Sequence, residues 1–442
     1  MYKSKKVVVL LTSLADISAA VDQFNTHQFV EFLDQLVRIN TTVPPGLHYS
    51  DFIAIISPRL EALGFALQIV KIPDEFVKQA YPMVEGSRIN LVAIKDLGQE
   101  KTITFYGHMD VVPAPNEGNE KWRTDPFKAT LKGKRIFGRG VADMKGSIAA
   151  LIIALELLQK LDLKPKYNIR FVACTDEELG GKSGVYHLAE QGFLKGTIFC
   201  MDALMWDKYV VGALGDLLVE IEVVGMSCHS GLNFLGINAI EAIVPILIEL
   251  LKLRKKVEAR RSTVPGIPRP ETPTERNMSP MLNLSIIRGG IKNNIVPGTC
   301  QLTIDRRLIP EEKIDDVTLE IMEAINRGKA KSSAKDVKVN FQYLYAPLKV
   351  DPTTSEARRM QQVICRVNNI KSDTLQQLAL PASTDIGFLN DILKTKDIIL
   401  RGVANASSNP HGVNEIVSLV DIFTFIKEIL LFLAGDDLPA TR

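Results

Sequence analysis

Four short apolar runs in this chain each break off into a histidine or a carboxylate, and that recurrence constrains the fold more than any other feature. Thr102–Tyr106 leads into Gly107-His108-Met109-Asp110, and Asn168–Cys174 into Thr175-Asp176-Glu177-Glu178. Gly196–Met201 leads into Asp202, and Ile398–Arg401 is followed by Asn409-Pro410-His411-Gly412. Apolar, β-branched runs bounded by polar turns read as strands. Between and around them lie helix-like segments: Tyr49–Leu63, Met144–Leu161 (apolar on nearly every face, as a buried helix is) and Lys182–Gln191. Ile89–Ile94 and Phe65–Ile72 add two more strands. Such alternation predicts an α/β domain with a mostly parallel sheet. In such a sheet the residues just past the strands share one edge, where ligands bind.

The pattern changes near residue 215. Leu217–Val224, Ala239–Leu253 (with a kink expected at Pro245), Met281–Ile287, Cys300–Ile304, Glu311–Ile325 and Val337–Tyr343 run β-α-β-β-α-β, the order of a ferredoxin-like unit. Glu258–Ser279, rich in proline and charge, reads as a long loop. The expected organisation is a catalytic domain in two segments, 1–215 and 346–442, with 216–345 inserted as a smaller α+β domain.

Composition narrows the function classes. The 442 residues carry 53 Lys plus Arg against 51 Asp plus Glu, a net charge of +2, so no global field favours nucleic acid or a membrane surface. Lys252–Arg261 is a local basic cluster and reads as a solvated helix end. Five cysteines without CxxC spacing fit a reduced, cytoplasmic setting. Lys3, Lys5 and Lys6 precede the apolar stretch Val7–Ala15, which is short and runs into Asp16; it reads as an N-terminal extension, flexible or strand-like, in preference to a signal peptide.

The chemistry lies in the strand ends. In extended backbone His108 and Asp110 point to the same side, so the carboxylate can orient one ring nitrogen and leave the other for a metal. Gly138-Arg139-Gly140-Val141-Ala142-Asp143 resembles a dinucleotide fingerprint but puts Asp143 where the third glycine belongs, and a carboxylate there would repel pyrophosphate. Taken alone, Asp143 reads as a helix cap and Asp202 as an ordinary turn residue. Taken together, His108, Asp143, Glu178, Asp202 and His411 form a set of two imidazoles and three carboxylates suited to a pair of divalent ions, zinc above all.

These blocks, with Trp122-Arg123-Thr124-Asp125-Pro126-Phe127 and His411-Gly412-Val413-Asn414-Glu415, resemble metallopeptidase family 20, the family of acetylornithine deacetylase, succinyl-diaminopimelate desuccinylase, aminoacylase and carboxypeptidase G. The resemblance implies that His108 and Asp202 bind one metal, Glu178 and His411 the other, and that Asp143 bridges them. It implies Asp110 as the orienting acid and Glu177 as general base, with two zinc ions, or cobalt or manganese, as cofactors. The insert matches the family's lid or dimerisation domain, implying a homodimer in which His229 of Cys228-His229-Ser230-Gly231 completes an active site, typically that of the partner. Asn238, Asn294, Arg307, Ser383 and Thr384 match positions near the substrate, Arg307 as a bidentate partner for a substrate carboxylate. The implied activity is cleavage of the amide bond of N-acyl amino acids. Asp202, where many family deacylases carry Glu, keeps a metallo-dipeptidase or aminopeptidase open; carbamoyl-amino-acid hydrolysis and a non-catalytic binding role are further alternatives. His27, His48 and His187 match no motif and are expected to be dispensable for chemistry.

Overall fold

The computed structural model describes residues 14–203, 207–267 and 276–434. It divides into two compact units: Met1–Val210 with Val350–Gln377 and Ile392–Arg442, and Val211–Lys349 with Leu378–Asp391. Among the described residues no helix is long and apolar enough to cross a membrane.

The first unit is built on a six-stranded sheet in the order Ala66–Lys71, Ile89–Lys95, Asn168–Cys174, Thr102–His108, Thr197–Cys200, Ile398–Leu400. The first two pairings are antiparallel and the remaining three parallel. Every parallel strand therefore ends at the same edge. The register makes this specific: His108 lies opposite Cys174, and Tyr106 opposite Cys200. Two residues beyond Tyr106 comes His108, and two beyond Cys200 comes Asp202, so the two are level with each other across the sheet. The helix Lys145–Lys160 has thirteen buried residues and packs against the equally apolar helix Leu419–Ala434. At about 25 cal/mol per Å² of apolar surface, this burial is a substantial stabilising contribution to the unit.

Three sequence expectations change here. Lys182–Gln191 is not one helix: Lys182–Tyr186 is a turn interrupted at Gly184 (φ −100°, ψ −117°), followed by His187–Glu190. Gly184 sits so close to the strand end that a Cβ would lie 2.3 Å from the Thr175 carbonyl oxygen. Residues Leu14–Asp22 form a helix with Ile17 and Val21 buried, not a flexible or strand-like arm; the preceding part of the N-terminal stretch lies outside the described residues. The third change concerns the second unit, which also takes Leu378–Asp391 from the segment assigned to the catalytic domain. That return is anchored by a short sheet, Leu348–Lys349, Lys208–Ala213 and Gln376–Leu380, and by Phe388 standing edge-on to Tyr343 at 5.6 Å.

The second unit runs β-α-β-β-α-β through Gly215–Val224, Ala239–Glu258, Met281–Gly289, Thr299–Leu308, Ile314–Lys329 and Asp336–Tyr345. Its antiparallel sheet has Met281–Gly289 at one edge, then Thr299–Leu308, Gly215–Val224 and Asp336–Tyr345. One face is covered by the two helices over a core of Leu217, Val219, Ile243, Ile246, Ile304 and Ile321. The helix continues unbroken through Pro245 to Glu258. The basic cluster at its end is paired internally, Lys252 with Glu249, Arg254 with Glu258, and Arg260 with Glu312 and Glu320.

Candidate metal centre and active site

The common strand edge of the first unit gathers the expected residues. His108 is fully buried at the end of its strand. Its Nδ1–H donates to the main-chain carbonyl of Asp110 at 3.0 Å, while the Asp110 carboxylate stands 3.7 Å away. The sequence assigned the orienting role to that carboxylate; the carbonyl performs it instead, because Asp110 Oδ2 turns to accept the Glu178 N–H at 3.0 Å. Either way Nδ1 carries a proton, which leaves Nε2 as the nitrogen available to a metal. Burial raises the Asp110 carboxyl to about 7, against the opposing pull of His108.

His108 Nε2 faces Asp143 Oδ1 at 3.2 Å. The other oxygen, Asp143 Oδ2, faces His411 Nε2 at 3.2 Å, and His411 Nε2 also lies 3.1 Å from Glu178 Oε2. Asp143 thus stands between the two imidazoles with one oxygen toward each. These contacts set the electrostatics. Burial alone would lower His108, but its hydrogen bond to Asp143 and the charges of Asp110, Glu177 and Asp143 push it well above the usual imidazole range. Hydrogen bonds to Asp143 and Glu178 raise His411 to about 11. Burial would raise Asp143, yet its bonds to His108 and His411 hold it well below the ordinary carboxylate range.

Two overlapping donor sets emerge: His108, Asp143 and Glu178, and His108, Glu177 and Asp202, each with ligand atoms within 4.8 Å of one another. Imidazole nitrogen with carboxylate oxygen is a donor chemistry that suits zinc and its neighbours. The 3.1–3.2 Å contacts around Asp143 and His411 match the edge, about 3.3 Å, of a tetrahedron with bonds of 2.0–2.1 Å. The residues present therefore fit divalent ions, for which the protons on the imidazoles are the competing occupants. Glu177, expected as a base and not as a ligand, falls within one of these sets.

The loop carrying Asp143 is shaped by glycines with steric reasons to be there. Gly140 has φ +84°, and a Cβ on it would lie 2.8 Å from Val111 Cγ1; one on Gly146 would lie 2.1 Å from the Val141 carbonyl oxygen. The acidic turn after Cys174 is held from beneath. Asp176, in the left-handed region at φ 58°, is fully buried and accepts from Arg88 Nε at 2.8 Å, Tyr49 Oη at 3.1 Å and Ser183 Oγ. Arg88, equally buried, also donates to the carbonyls of Pro45 and Gly46 at 2.9 Å each. Burial and the Asp176 charge push the Tyr49 hydroxyl far above its ordinary value, so it remains a donor. Nothing in the spacing of Tyr49, Arg88 and Asp176 marked this anchor.

The remaining expected residues lie in the second unit. His229 is exposed, and its Nδ1 accepts the Gly231 N–H at 3.1 Å, which leaves Nε2 as a donor. Its strand segment is tied to Asn294 and Val296: Ser230 N–H donates to the Asn294 carbonyl at 3.0 Å and Val296 N–H to the Cys228 carbonyl at 2.9 Å. Asn238 caps the helix Ala239–Glu258 by accepting the Ile240 N–H at 3.0 Å. Arg306 and Arg307 face opposite ways along their strand: Arg306 is fully buried against Glu312, whereas Arg307 is partly exposed and donates from Nη1 to Ser383 Oγ at 2.9 Å. The Nε–Nη2 edge of Arg307, the one suited to a bidentate partner, is already occupied by Asp305 at 2.7 and 3.2 Å. Thr384 is buried at the adjoining position. His411 belongs to neither donor set although it contacts Asp143 and Glu178, and His27, His48, His187 and His229 belong to neither as well.

Comparison with known proteins then decides the family. A profile described as peptidase family M20/M25/M40 matches residues 104–434. The chain belongs to this peptidase family. It is accordingly a metallopeptidase-type hydrolase acting on C–N bonds. Among curated relatives, a succinyl-diaminopimelate desuccinylase of Buchnera aphidicola is 33% identical over 227 residues, covering 50% of this chain and 55% of that protein. A probable succinyl-diaminopimelate desuccinylase of Staphylococcus aureus is 27% identical over 385 residues, covering 80% and 87%. Among solved structures, a metallo-carboxypeptidase of the family from Sulfolobus solfataricus superposes with a TM-score of 0.72 at 17% identity, covering 92% of this chain and 98% of the other. A dipeptidase from Saccharomyces cerevisiae gives 0.75 at 17% identity, covering 96% and 98%. At these identities the structures speak for the fold alone.

Proposed function

We propose that this family member hydrolyses the amide bond of N-acyl amino acids, in the manner of a succinyl-diaminopimelate desuccinylase or acetylornithine deacetylase, with two zinc ions. The observation that carries the reading is Asp143, whose two oxygens address two different imidazoles at 3.2 Å each. His108 and Asp202 would hold one ion, Glu178 and His411 the other, with Asp143 shared; cobalt or manganese are the alternatives to zinc. When bound, such ions acidify water and polarise an amide carbonyl. Glu177 then accepts a proton from the attacking water and returns it to the leaving nitrogen. Asp110 and its carbonyl hold the His108 ring. His229, reaching across the proposed dimer into the partner's site, would offer Nε2–H to the developing oxyanion, a role in which one donor contributes about 3–4 kcal/mol to the transition state. Arg307 meets a substrate carboxylate through its Nη1–Nη2 side, since Asp305 holds the other edge. Asn238, Asn294, Ser383 and Thr384 complete the substrate-facing set.

The second unit supports a homodimer. Ile240, Val244, Ile248 and Leu251 form one exposed apolar stripe on its first helix, and Ile286 and Ile287 are exposed on the edge strand Met281–Gly289. An uncovered stripe beside an open strand edge suits a second copy of the same surface. Five cysteines in 442 residues, none in CxxC spacing, support a cytoplasmic setting.

Asp202 favours a second reading, a dipeptidase, because Asp at this position is more usual among family aminopeptidases and dipeptidases. A panel of N-acetyl, N-succinyl and N-carbamoyl amino acids against simple dipeptides separates the two. Glu177→Gln tests the chemistry: turnover should fall at least 10²-fold while bound metal persists. Near-normal turnover in that variant rejects Glu177 as the base.

A further inference from the structure

The Asp143 loop and the His411 loop meet through a buried ion pair outside the expected site residues. Glu415 is fully buried, and its carboxylate accepts the N–H groups of Gly140 (3.0 Å), Ala142 (2.8 Å) and Asp143 (3.1 Å). It also accepts Arg139 Nη1 at 2.7 Å. The second arm of Arg139, Nη2, donates to the His411 carbonyl at 2.9 Å and the Pro113 carbonyl at 3.1 Å. The guanidinium is 2% exposed at the residue level and lies over the Trp122 ring, 5.3 Å from its centroid. A single pair thus grips the backbone N–H of Asp143 and the backbone carbonyl of His411, whose side chains face each other at 3.2 Å.

The grip has something to hold. His411 has φ 65° and Asn414 φ 63°, left-handed backbone that is uncommon outside glycine and that His and Asn adopt more readily than other residues. Packing does not impose it at His411, whose side chain is 57% exposed. The Arg139 bond to its carbonyl braces this turn, beside the bonds from Gly412 N–H to the Asn409 carbonyl at 3.1 Å and from Asn409 Nδ2 to the Val413 carbonyl at 2.8 Å; Asn414 is held by accepting the Arg123 N–H at 2.7 Å and donating to the Lys121 carbonyl at 3.0 Å. The Trp122-Arg123 block therefore belongs to the same clasp.

We propose that Arg139 and Glu415 are positioning residues that set the separation of Asp143 and His411 and thereby the affinity of the cation site those two share. The proposal rests on the reading of Asp143 and His411 as metal ligands. Partners that orient metal ligands typically change affinity 10–100-fold when removed.

The test uses the full chain, stripped with chelator and titrated with Co²⁺ by calorimetry and visible absorption. Wild type should take up two ions. Arg139→Lys keeps the charge but has one ammonium where two arms are needed, and should weaken at least one ion about 10–100-fold, with an altered Co²⁺ spectrum. Glu415→Gln should act in the same direction and carries the test if Arg139→Lys is recovered only as aggregate. Glu312→Gln, which breaks the buried Arg306 pair of the second unit, is the control: it should lower the melting temperature and leave Co²⁺ affinity unchanged. Wild-type affinity for both ions in the two clasp variants, even with lowered melting temperatures, overturns the clasp and leaves the metal reading standing. A wild type that binds no Co²⁺ overturns the metal reading and the clasp with it.

Discussion

Arg88→Met is the sharpest perturbation of the scaffold beneath the acidic turn. Arg88 and Asp176 are both 0% exposed and form a closed pair. The substitution retains most of the side-chain volume but strands the Asp176 carboxylate with only Tyr49 and Ser183 as donors. It also leaves the carbonyls of Pro45, Gly46 and Glu85 without the guanidinium. Removing one partner of a buried pair costs about 3–5 kcal/mol, and the orphaned carbonyls add about 1 kcal/mol each where water cannot replace the donor. Only the Gly46 contact is fully buried, so one carbonyl counts and the expected loss is about 4–6 kcal/mol, a large share of the roughly 5–15 kcal/mol that holds a domain together. Chemical denaturation followed by circular dichroism reads it directly. Because Asp176 immediately precedes Glu177 and Glu178, hydrolysis should fall with stability. Adding Asp176→Asn removes the stranded charge and should recover part of the loss. A single variant destabilised by less than about 1 kcal/mol, or a double variant no more stable than the single one, refutes the argument that a stranded charge dominates.

Two further outcomes concern the second unit. Burial raises the Asp216 carboxyl from 3.8 to about 6, against the opposing influence of Arg307. The folded state therefore favours the protonated form, so this group's contribution to stability is greatest below pH 4 and declines as pH rises towards 6. Asp216→Asn should stabilise by up to about 3 kcal/mol above pH 6 and not below pH 4; a gain independent of pH would contradict this origin. Ile248→Asp places a charge in the middle of the exposed apolar stripe and should convert a dimer to monomers in sedimentation velocity. An unchanged sedimentation coefficient would move the interface elsewhere.

The strand-end residues were legible because a parallel sheet delivers every strand to one edge. Knowing that Thr102–Tyr106, Asn168–Cys174 and Gly196–Met201 are parallel strands is nearly enough to bring His108, Glu178 and Asp202 together. The ferredoxin-like order was legible for a similar reason, since periodicity changes from two to 3.6 at each junction. Less legible were contacts that depend on which loops meet. Arg88 and Asp176 lie 88 residues apart, with no pattern in either segment that names the other. Arg139 and Glu415 stand inside recognisable blocks, yet their role appears only when both loops are seen to share a carboxylate. The passage of Leu378–Asp391 into the second unit rests on a short sheet, an aromatic contact and a few hydrogen bonds, too little for composition to signal. At His108 the period-two rule brought Asp110 to the correct side but could not say whether its carbonyl or its carboxylate would face the ring.

The first unit is discontinuous, and this has a consequence for its biosynthesis. Ile398–Leu400 pairs with Ile198–Cys200, and the helix Leu419–Ala434 covers the apolar helix Lys145–Lys160. A ribosome must therefore add the whole intervening stretch before that greasy surface is shielded. At 5–20 residues per second the delay is on the order of ten to fifty seconds. Residues 211–349, which are contiguous, can fold during that interval. The half-made catalytic unit meanwhile displays exposed apolar side chains and an unfinished sheet, a substrate for chaperones, and it lacks His411. Nascent chains are thus aggregation-prone, and under the proposed ligand assignment the pair of ion sites is complete only once the His411 loop has joined the sheet.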